Sequence, residues 1–422
     1  MNTLRTANAR PLPAEGDRPS RWLKARLLAR LDRLEGGELT LIEGHQRHRL
    51  GRGGPLSATV IIRDARTWRR LALGGTVGVA EAYMDGDWDV DDPVALVRLF
   101  AANLERVNGE LERGYARFGR WLLDGLYRLQ RNSLKGARRN IAAHYDIGND
   151  LFATFLDRRH WMYSSAVFPR AGASLEEAST YKLDLMLERL DVRPHHHLLE
   201  IGTGWGGLAI HAARTRGCRV TTTTISDEQY AFAARRLAEE GLEDRVTLLK
   251  QDYRELQGRY DRLISVEMIE AVGHHYLDTY LATLDRLLAD DGLAMLQAIT
   301  IRDQRFEAAK REMDFIKRYI FPGGFLPSHR AILDGLARRT SLNLLDLEEI
   351  GPHYARTLRE WRHRFEARLD TVRKLGYDER FIRMWRYYLC YCEGGFLERS
   401  IGTAQLLLAK PGARPAPLTG AT

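Results

Sequence analysis

The sequence predicts an α/β fold: a parallel, doubly wound sheet in the larger C-terminal part, preceded by a smaller α+β domain. Three observations carry this. From about residue 197 onward, strand and helix patterns alternate at the pitch of βαβ units. The first of these strands runs directly into a glycine-rich turn and then a helix. Earlier, between residues 38 and 75, short alternating runs sit between glycine turns and read as strands of a separate unit.

The elements follow in order. Residues 1–20 hold prolines and charges and read as a disordered lead-in, without the apolar stretch of roughly 7–15 residues that a secretory signal needs. Leu23, Leu27, Leu31 and Leu34 then recur every three or four residues among Arg21, Lys24, Arg26, Arg30 and Arg33. That is a basic amphipathic helix, ended by Gly36-Gly37. It would lie either on anionic lipid or against its own domain. Residues 39–42 and 58–62 predict strands, 93–104 and 110–131 helices, and 128–139 an exposed basic stretch. The expected organisation is a small domain at 21–127, a basic linker at 128–143, a larger domain at 144–412 and a flexible tail at 413–422. Within the larger domain, 197–201, 219–225, 245–251, 262–269 and 293–301 predict strands, and 208–216 and 227–240 helices.

Composition narrows the function classes. The 64 Lys and Arg exceed the 56 Asp and Glu to give +8, which fits an anionic partner or solubility alone. Neither a nucleic-acid motif nor interleaved aromatics accompany that charge, so nucleic acid is not expected. No window approaches the ~20 apolar residues of a membrane-spanning helix. Cys218, Cys390 and Cys392 form neither a disulfide framework nor a paired zinc motif, and fit a reducing compartment. His195-His196-His197 and His274-His275 lack a carboxylate partner set and read as turns rather than metal ligands.

The glycine turn carries the chemistry. Residues 199–207 read Leu-Glu-Ile-Gly-Thr-Gly-Trp-Gly-Gly, which formally satisfies the dinucleotide pattern. A nicotinamide site wants an acid about 20 residues on, to hold the ribose. The second strand instead ends Thr221-Thr222-Thr223-Thr224-Ile225-Ser226. Glu200 stands two residues before the first glycine, and Gln251-Asp252-Tyr253 follows the third strand. This set resembles that of methyltransferases that bind S-adenosylmethionine.

A longer set of segments extends the resemblance. These are residues 140–150 (Asn-Ile-Ala-Ala-His-Tyr-Asp-Ile-Gly-Asn-Asp), 162–166 (Met-Tyr-Ser-Ser-Ala), 224–229, 251–254, 267–273 (Glu-Met-Ile-Glu-Ala-Val-Gly), 319–324 and 387–392. In this order they are similar to the cyclopropane-fatty-acyl-phospholipid synthases, relatives of the mycolic acid cyclopropane synthases. The match runs over about residues 130–410, and Tyr83-Met84-Asp85-Gly86-Asp87-Trp88 resembles the family's small N-terminal domain.

The resemblance implies a class I, Rossmann-like S-adenosylmethionine-dependent methyltransferase domain behind a smaller N-terminal α+β domain. It implies transfer of a methyl to the cis double bond of an acyl chain in a membrane phospholipid, with a cyclopropane formed after bicarbonate-assisted proton loss. It places the cofactor against Tyr163, Ser164, Glu200, Gly202, Thr203, Gly204, Trp205, Gly206, Thr224, Ile225, Ser226, Gln229, Asp252 and Tyr253. It places bicarbonate against Ser165, Glu270, Gln297, the backbone of Ile299, and Tyr354. Cys392 matches a cysteine once regarded as catalytic, although an aromatic-flanked cysteine more often packs. A homodimer, peripheral on the inner face of the cytoplasmic membrane, is implied as well.

Two positions depart from the best-known members: Ser165 stands in place of Cys, and Gln297 in place of His. Gln donates a hydrogen bond but cannot be protonated. Ala271, not His, follows Glu270. These departures leave open a second product, a methyl- or methylene-branched chain. A small-molecule methyltransferase, or a membrane-surface protein on a vestigial fold, are the readings from other classes.

Overall fold

The structure, a computed structural model, describes residues 18–103 and 148–415. The predicted helix at 110–131, the basic stretch at 128–143, most of the 140–150 segment, the first 17 residues and the end of the tail lie outside the described residues. The chain divides into two compact units. Among described residues, one comprises 18–103, 313–318 and 372–400, and the other 148–312, 319–371 and 401–415.

The first unit is built on a four-stranded sheet in the order β2-β1-β3-β4, with β1 Gly37–Glu43, β2 Gln46–Gly53, β3 Leu56–Ile62 and β4 Trp88–Val90. Alternate residues of β3 (Ala58, Val60, Ile62) are buried, as period-two patterning requires. The helix Arg18–Leu31 packs back on this unit: Lys24 Nζ lies 5.6 Å from the Trp68 ring centroid and pairs with Glu43. Trp22 and Arg26, stacked at 4.8 Å, remain on its exposed side. The helix Pro93–Ala102 starts with Pro at its first turn and Asp92 as N-cap, accepting from Ala95 N at 2.9 Å.

The sequence reading placed residues 372–400 in the larger domain; the structure packs them in the first unit. The helix Glu379–Leu397 lies against the helices Pro93–Ala102 and Arg66–Met84. Gly394 permits the approach, since a Cβ there would sit 2.6 Å from Val97 Cγ1. Arg383 stacks on Tyr83 at 4.1 Å and donates to Trp88 O at 2.8 Å. Periodicity revealed a buried helix but not which partner buries it.

The second unit is a seven-stranded sheet in the order β10-β11-β9-β8-β5-β6-β7. Its strands are β5 His197–Ile201, β6 Arg219–Thr224, β7 Val246–Lys250, β8 Tyr260–Val266, β9 Leu288–Ile301, β10 Asn343–Glu349 and β11 Ile401–Ala409. β7, β6, β5, β8 and β9 run parallel, as expected. β11 enters antiparallel between β9 and β10, so the sheet is mixed and not wholly parallel. Both faces are covered. One apolar layer includes Leu199, Leu263, Leu281 and Leu406, and the other includes Leu198, Leu208, Ile264 and Leu407. Neighbouring residues of one strand thus serve opposite layers, the arrangement of a doubly wound sheet.

Candidate active site

The site lies where parallel strands end, at the carboxyl edge of β5, β6, β7 and β8. After β5 the chain turns through Gly202, Thr203, Gly204, Trp205 and Gly206 into the helix Gly207–Arg216. Gly202 has φ of 103°, and a Cβ on it would sit 2.5 Å from Met268 Cγ. A Cβ on Gly207 would sit 2.0 Å from the His160 carbonyl oxygen. Only glycine lets the backbone pass this close. The N–H groups of Gly202 and Thr203 both donate to Thr223 O, at 3.1 and 3.0 Å, which locks the turn to β6.

Glu200 is buried one residue before the end of β5, and its Oε2 accepts from Thr222 Oγ1 at 2.6 Å. Burial pushes its carboxyl up to about 8, with that one hydrogen bond pulling the other way. At the end of β6, Thr224 Oγ1 donates to Gln229 Oε1 at 2.9 Å, and Ser226 caps the helix Asp227–Glu239 by accepting from Gln229 N. Ile225 lies between these two polar residues. After β7, both Asp252 oxygens are held by Arg254, at 2.8 and 2.7 Å. The buried Tyr253 hydroxyl has no hydrogen-bond partner among the described residues.

An aromatic wall surrounds Tyr163. Its ring centroid lies 5.0 Å from Phe152, 5.3 Å from Trp361, 6.4 Å from Phe321 and 6.5 Å from Trp205. The Trp205 indole N–H donates to Asn149 Oδ1 at 2.7 Å, fixing the ring. The loop before Tyr163 is held by Asp157, which accepts from the backbone N–H of His160 and Met162 at 2.6 and 2.8 Å. Negative ring faces are suited to a sulfonium or a carbocation. The close glycine turn, the unpartnered Tyr253 hydroxyl and the aromatic wall fit an adenosine-bearing cation.

The residues expected to hold bicarbonate do come together, but around a residue the sequence reading quoted and did not assign. Glu267 Oε1 accepts from Ser165 N at 2.9 Å and Gln297 Nε2 at 2.8 Å; its Oε2 accepts from Tyr354 OH at 2.8 Å. Gln297 is oriented in turn: its Oε1 accepts from Gln405 Nε2 at 3.0 Å across the β9–β11 pair. Arg189 Nη1 donates to Gln405 Oε1 at 3.3 Å. Glu270 Oε1 accepts from the Ile299 N–H, while its buried Oε2 has no partner among the described residues. Burial raises the carboxyl values of Glu267 and Glu270, and the neighbouring Glu267 charge raises Glu270 further.

Lys182 is a second missed residue. It is fully buried, with Nζ 2.7 Å from Ser164 Oγ. Burial pushes it down to about 8, against the pull of Glu267 and Asp157. The signal was present in the helix Leu175–Arg189: Lys182 sits on the same buried stripe as Leu175, Ala178, Ser179 and Met186. A charge in a core stripe implies a buried partner. Cys392 is not among these residues. It lies on the Glu379–Leu397 helix of the first unit, where burial raises its thiol, so it has no thiolate character.

The sequence-family comparison decides the affiliation. Residues 132–406 match the mycolic acid cyclopropane synthetase family. The chain belongs to this family. It is 39% identical over 355 residues to a tuberculostearic acid methyltransferase of Mycobacterium tuberculosis, covering 82% of this chain and 81% of the relative. It is 34% identical over 358 residues to the cyclopropane-fatty-acyl-phospholipid synthase of Escherichia coli, covering 85% and 89%. Among solved structures, a mycolic acid cyclopropane synthase complexed with SAH and CTAB is 29% identical, with a TM-score of 0.60 over 65% of this chain and 98% of that one. A coclaurine N-methyltransferase shares the fold at 20% identity and a TM-score of 0.61. The protein is thus an S-adenosylmethionine-dependent methyltransferase of a family that acts on lipid acyl chains.

Proposed function

We propose that the chain methylates the cis double bond of unsaturated acyl chains in membrane phospholipid and closes a cyclopropane after a proton leaves the new methyl. The observation that carries this reading is the pairing of an aromatic wall around Tyr163 with a carboxyl cluster on Glu267 and Glu270, beside a glycine turn built for close backbone approach. When bound, S-adenosylmethionine supplies an electrophilic methyl. The residues that would hold it are those of the glycine turn, with Glu200, Thr224, Gln229, Asp252, Tyr253 and Tyr163.

The chain's own groups meet the remaining demands. An alkene is a weak nucleophile, so it must be pressed against the methyl in a site without competing water. Phe152, Phe155, Tyr163 and Trp361 supply that apolar wall, and their ring faces lower the energy of the cation left on the acyl chain. Ser165, Gln297 and Tyr354, which the family resemblance assigns to bicarbonate, hydrogen-bond Glu267.

A second reading is favoured by a specific observation. The tuberculostearic acid relative is 39% identical, and Gln297, hydrogen-bonded as an amide on both sides, cannot take up a proton and become a charged donor. A hydride shift before proton loss would then leave a methylene branch in place of a ring. Peripheral docking on the inner membrane face belongs to the same proposal. It is supported by exposed Trp22 and Arg26 on a basic helix, and by the absence, among described residues, of a helix long and apolar enough to cross a membrane.

The test is to incubate the protein with cis-unsaturated phospholipid vesicles and labelled S-adenosylmethionine, then to identify the released acyl chains by mass spectrometry and NMR. Ring protons support the first reading and exocyclic vinyl protons the second. Absence of label in lipid defeats both.

A further inference from the structure

We propose that the Glu267 carboxylate is the proton acceptor of this reaction, occupying by a side chain the seat that a free anion would otherwise fill. This rests on the acyl-chain reading above and deepens it.

The geometry is specific. Three donors converge on Glu267 from three distant parts of the chain: the backbone N–H of Ser165, the side-chain amide of Gln297 and the hydroxyl of Tyr354. A carboxylate has about four lone-pair sites. Oε1 uses both of its own on Ser165 and Gln297, and Oε2 uses one on Tyr354, so one acceptor site on Oε2 is left among the described contacts. These are the same donors that the family resemblance assigned to bicarbonate, and each of these bonds now ends on the protein.

The backbone is arranged for this. Glu267 directly follows β8 and has φ of 52°, a left-handed conformation that a non-glycine residue adopts at a cost of about 1 kcal/mol or more. Its N–H donates to Gln297 O at 2.7 Å, so the strained residue is tied at both main chain and side chain to the same glutamine. Next to it, Met268 touches the glycine turn at Gly202, which puts the acid loop directly beside the proposed cofactor cradle.

The two carboxyls divide the work. Glu267 has three donors, two of them side chains, and lies near the Lys182 cation, whereas Glu270 is held by backbone N–H groups, that of Ile299 among them, and feels the Glu267 charge. Two adjacent half-buried carboxyls cannot both ionise cheaply, so Glu267, with more donors and a nearby cation, carries the charge and Glu270 stays neutral.

The step balances. A C–H bond of the new methyl breaks and its proton passes to Glu267 Oε2. The electron pair of that bond forms the last ring bond or, after a hydride shift, an exocyclic double bond. The acid then returns its proton to solvent. Neither an oxidant nor an added anion is required. Gln405 is a positioning residue: by donating to Gln297 Oε1 it turns the Gln297 amide so that Nε2 faces Glu267.

The experiment compares the parent protein with Glu267→Gln and Glu267→Gly on monounsaturated phosphatidylethanolamine and phosphatidylglycerol vesicles, in buffer stripped of carbon dioxide and again with added bicarbonate or formate. S-adenosylmethionine affinity is measured separately by equilibrium binding. The parent is expected to transfer label equally well with and without bicarbonate. Glu267→Gln should lose about a hundredfold or more in turnover, the range of a lost general base, while cofactor affinity changes only a few-fold. Glu267→Gly is favoured by the left-handed backbone, so it should fold, bind cofactor and regain at least tenfold activity when bicarbonate or formate fills the seat. A parent that needs added bicarbonate, a Glu267→Gln variant near parent activity, or a cofactor-binding Glu267→Gly that no anion restores would each overturn the inference alone. A parent that transfers no label defeats the acyl-chain reading and this inference with it.

Discussion

Replacing Glu200 by Gln should flatten the dependence of stability on pH in the ligand-free protein. Glu200 is 4% exposed, and among the described residues its carboxyl accepts from the Thr222 hydroxyl. Burial lifts its carboxyl from 4.5 to about 8. Its folded value therefore lies above its unfolded value, so its contribution to stability is full below about pH 4.5 and is lost as pH rises through about 8. Within that window each pH unit costs about 1.4 kcal/mol. Going from about pH 5.5 to about pH 7.5 then costs up to ~3 kcal/mol, and relaxation around the charge reduces this to about 1–3 kcal/mol. Gln keeps an acceptor for Thr222 and removes the titration. Urea unfolding of parent and Glu200→Gln at several pH values, followed by far-UV circular dichroism, measures the difference. The variant should gain on the parent as pH rises. Parallel pH profiles would refute the idea that a buried carboxyl with a raised titration sits at the end of β5.

Other outcomes follow from the same geometry. Gln405→Leu should release the Gln297 amide and lower turnover about tenfold without changing S-adenosylmethionine affinity, which steady-state kinetics and equilibrium binding separate. Trp361→Ala removes a fully buried ring that packs on Tyr163 and Phe155, and should cost about 3–5 kcal/mol in chemical denaturation. Gly207→Ala should destabilise the second unit and impair cofactor binding together, because its methyl would overlap His160 O; unchanged thermal unfolding would contradict the tight approach. Cys392→Ser should leave turnover within a few-fold of the parent, since the half-buried thiol is pushed up and has no thiolate character. Vesicle co-sedimentation should fall as salt rises, each Lys or Arg near an anionic surface adding roughly 1 kcal/mol of attraction; salt-independent binding would count against docking by the basic helix.

What was legible in the sequence was what depends on near neighbours. The glycine turn, Glu200 beside it, and the β6 end at Thr224–Gln229 are local constraints, and the structure places them on one edge of the sheet. Glu267 was in plain view inside the 267–273 segment, yet its role depends on a left-handed backbone and on donors about 30 to 100 residues distant, which no local pattern encodes. Lys182 was detectable as a charge on a core stripe, but its partner Ser164 was not. The helix Glu379–Leu397 had a clear apolar face, while the choice of the first unit to cover it rests on Gly394 meeting Val97, nearly 300 residues earlier. Likewise β11 reads as a buried strand, and only its pairing with β9 and β10 shows that it runs against the rest of the sheet.

The most direct measurement uses S-adenosylmethionine with a fully deuterated methyl and monounsaturated phospholipid vesicles, with the deuterium content of the released acyl chains read by mass spectrometry. Methyl transfer followed by proton loss from that same methyl predicts an acyl chain that gains one carbon and keeps two of its three deuteriums. A chain that keeps all three would contradict the proton-acceptor role of the carboxyl cluster, and a chain that gains none would contradict methyl transfer to lipid altogether.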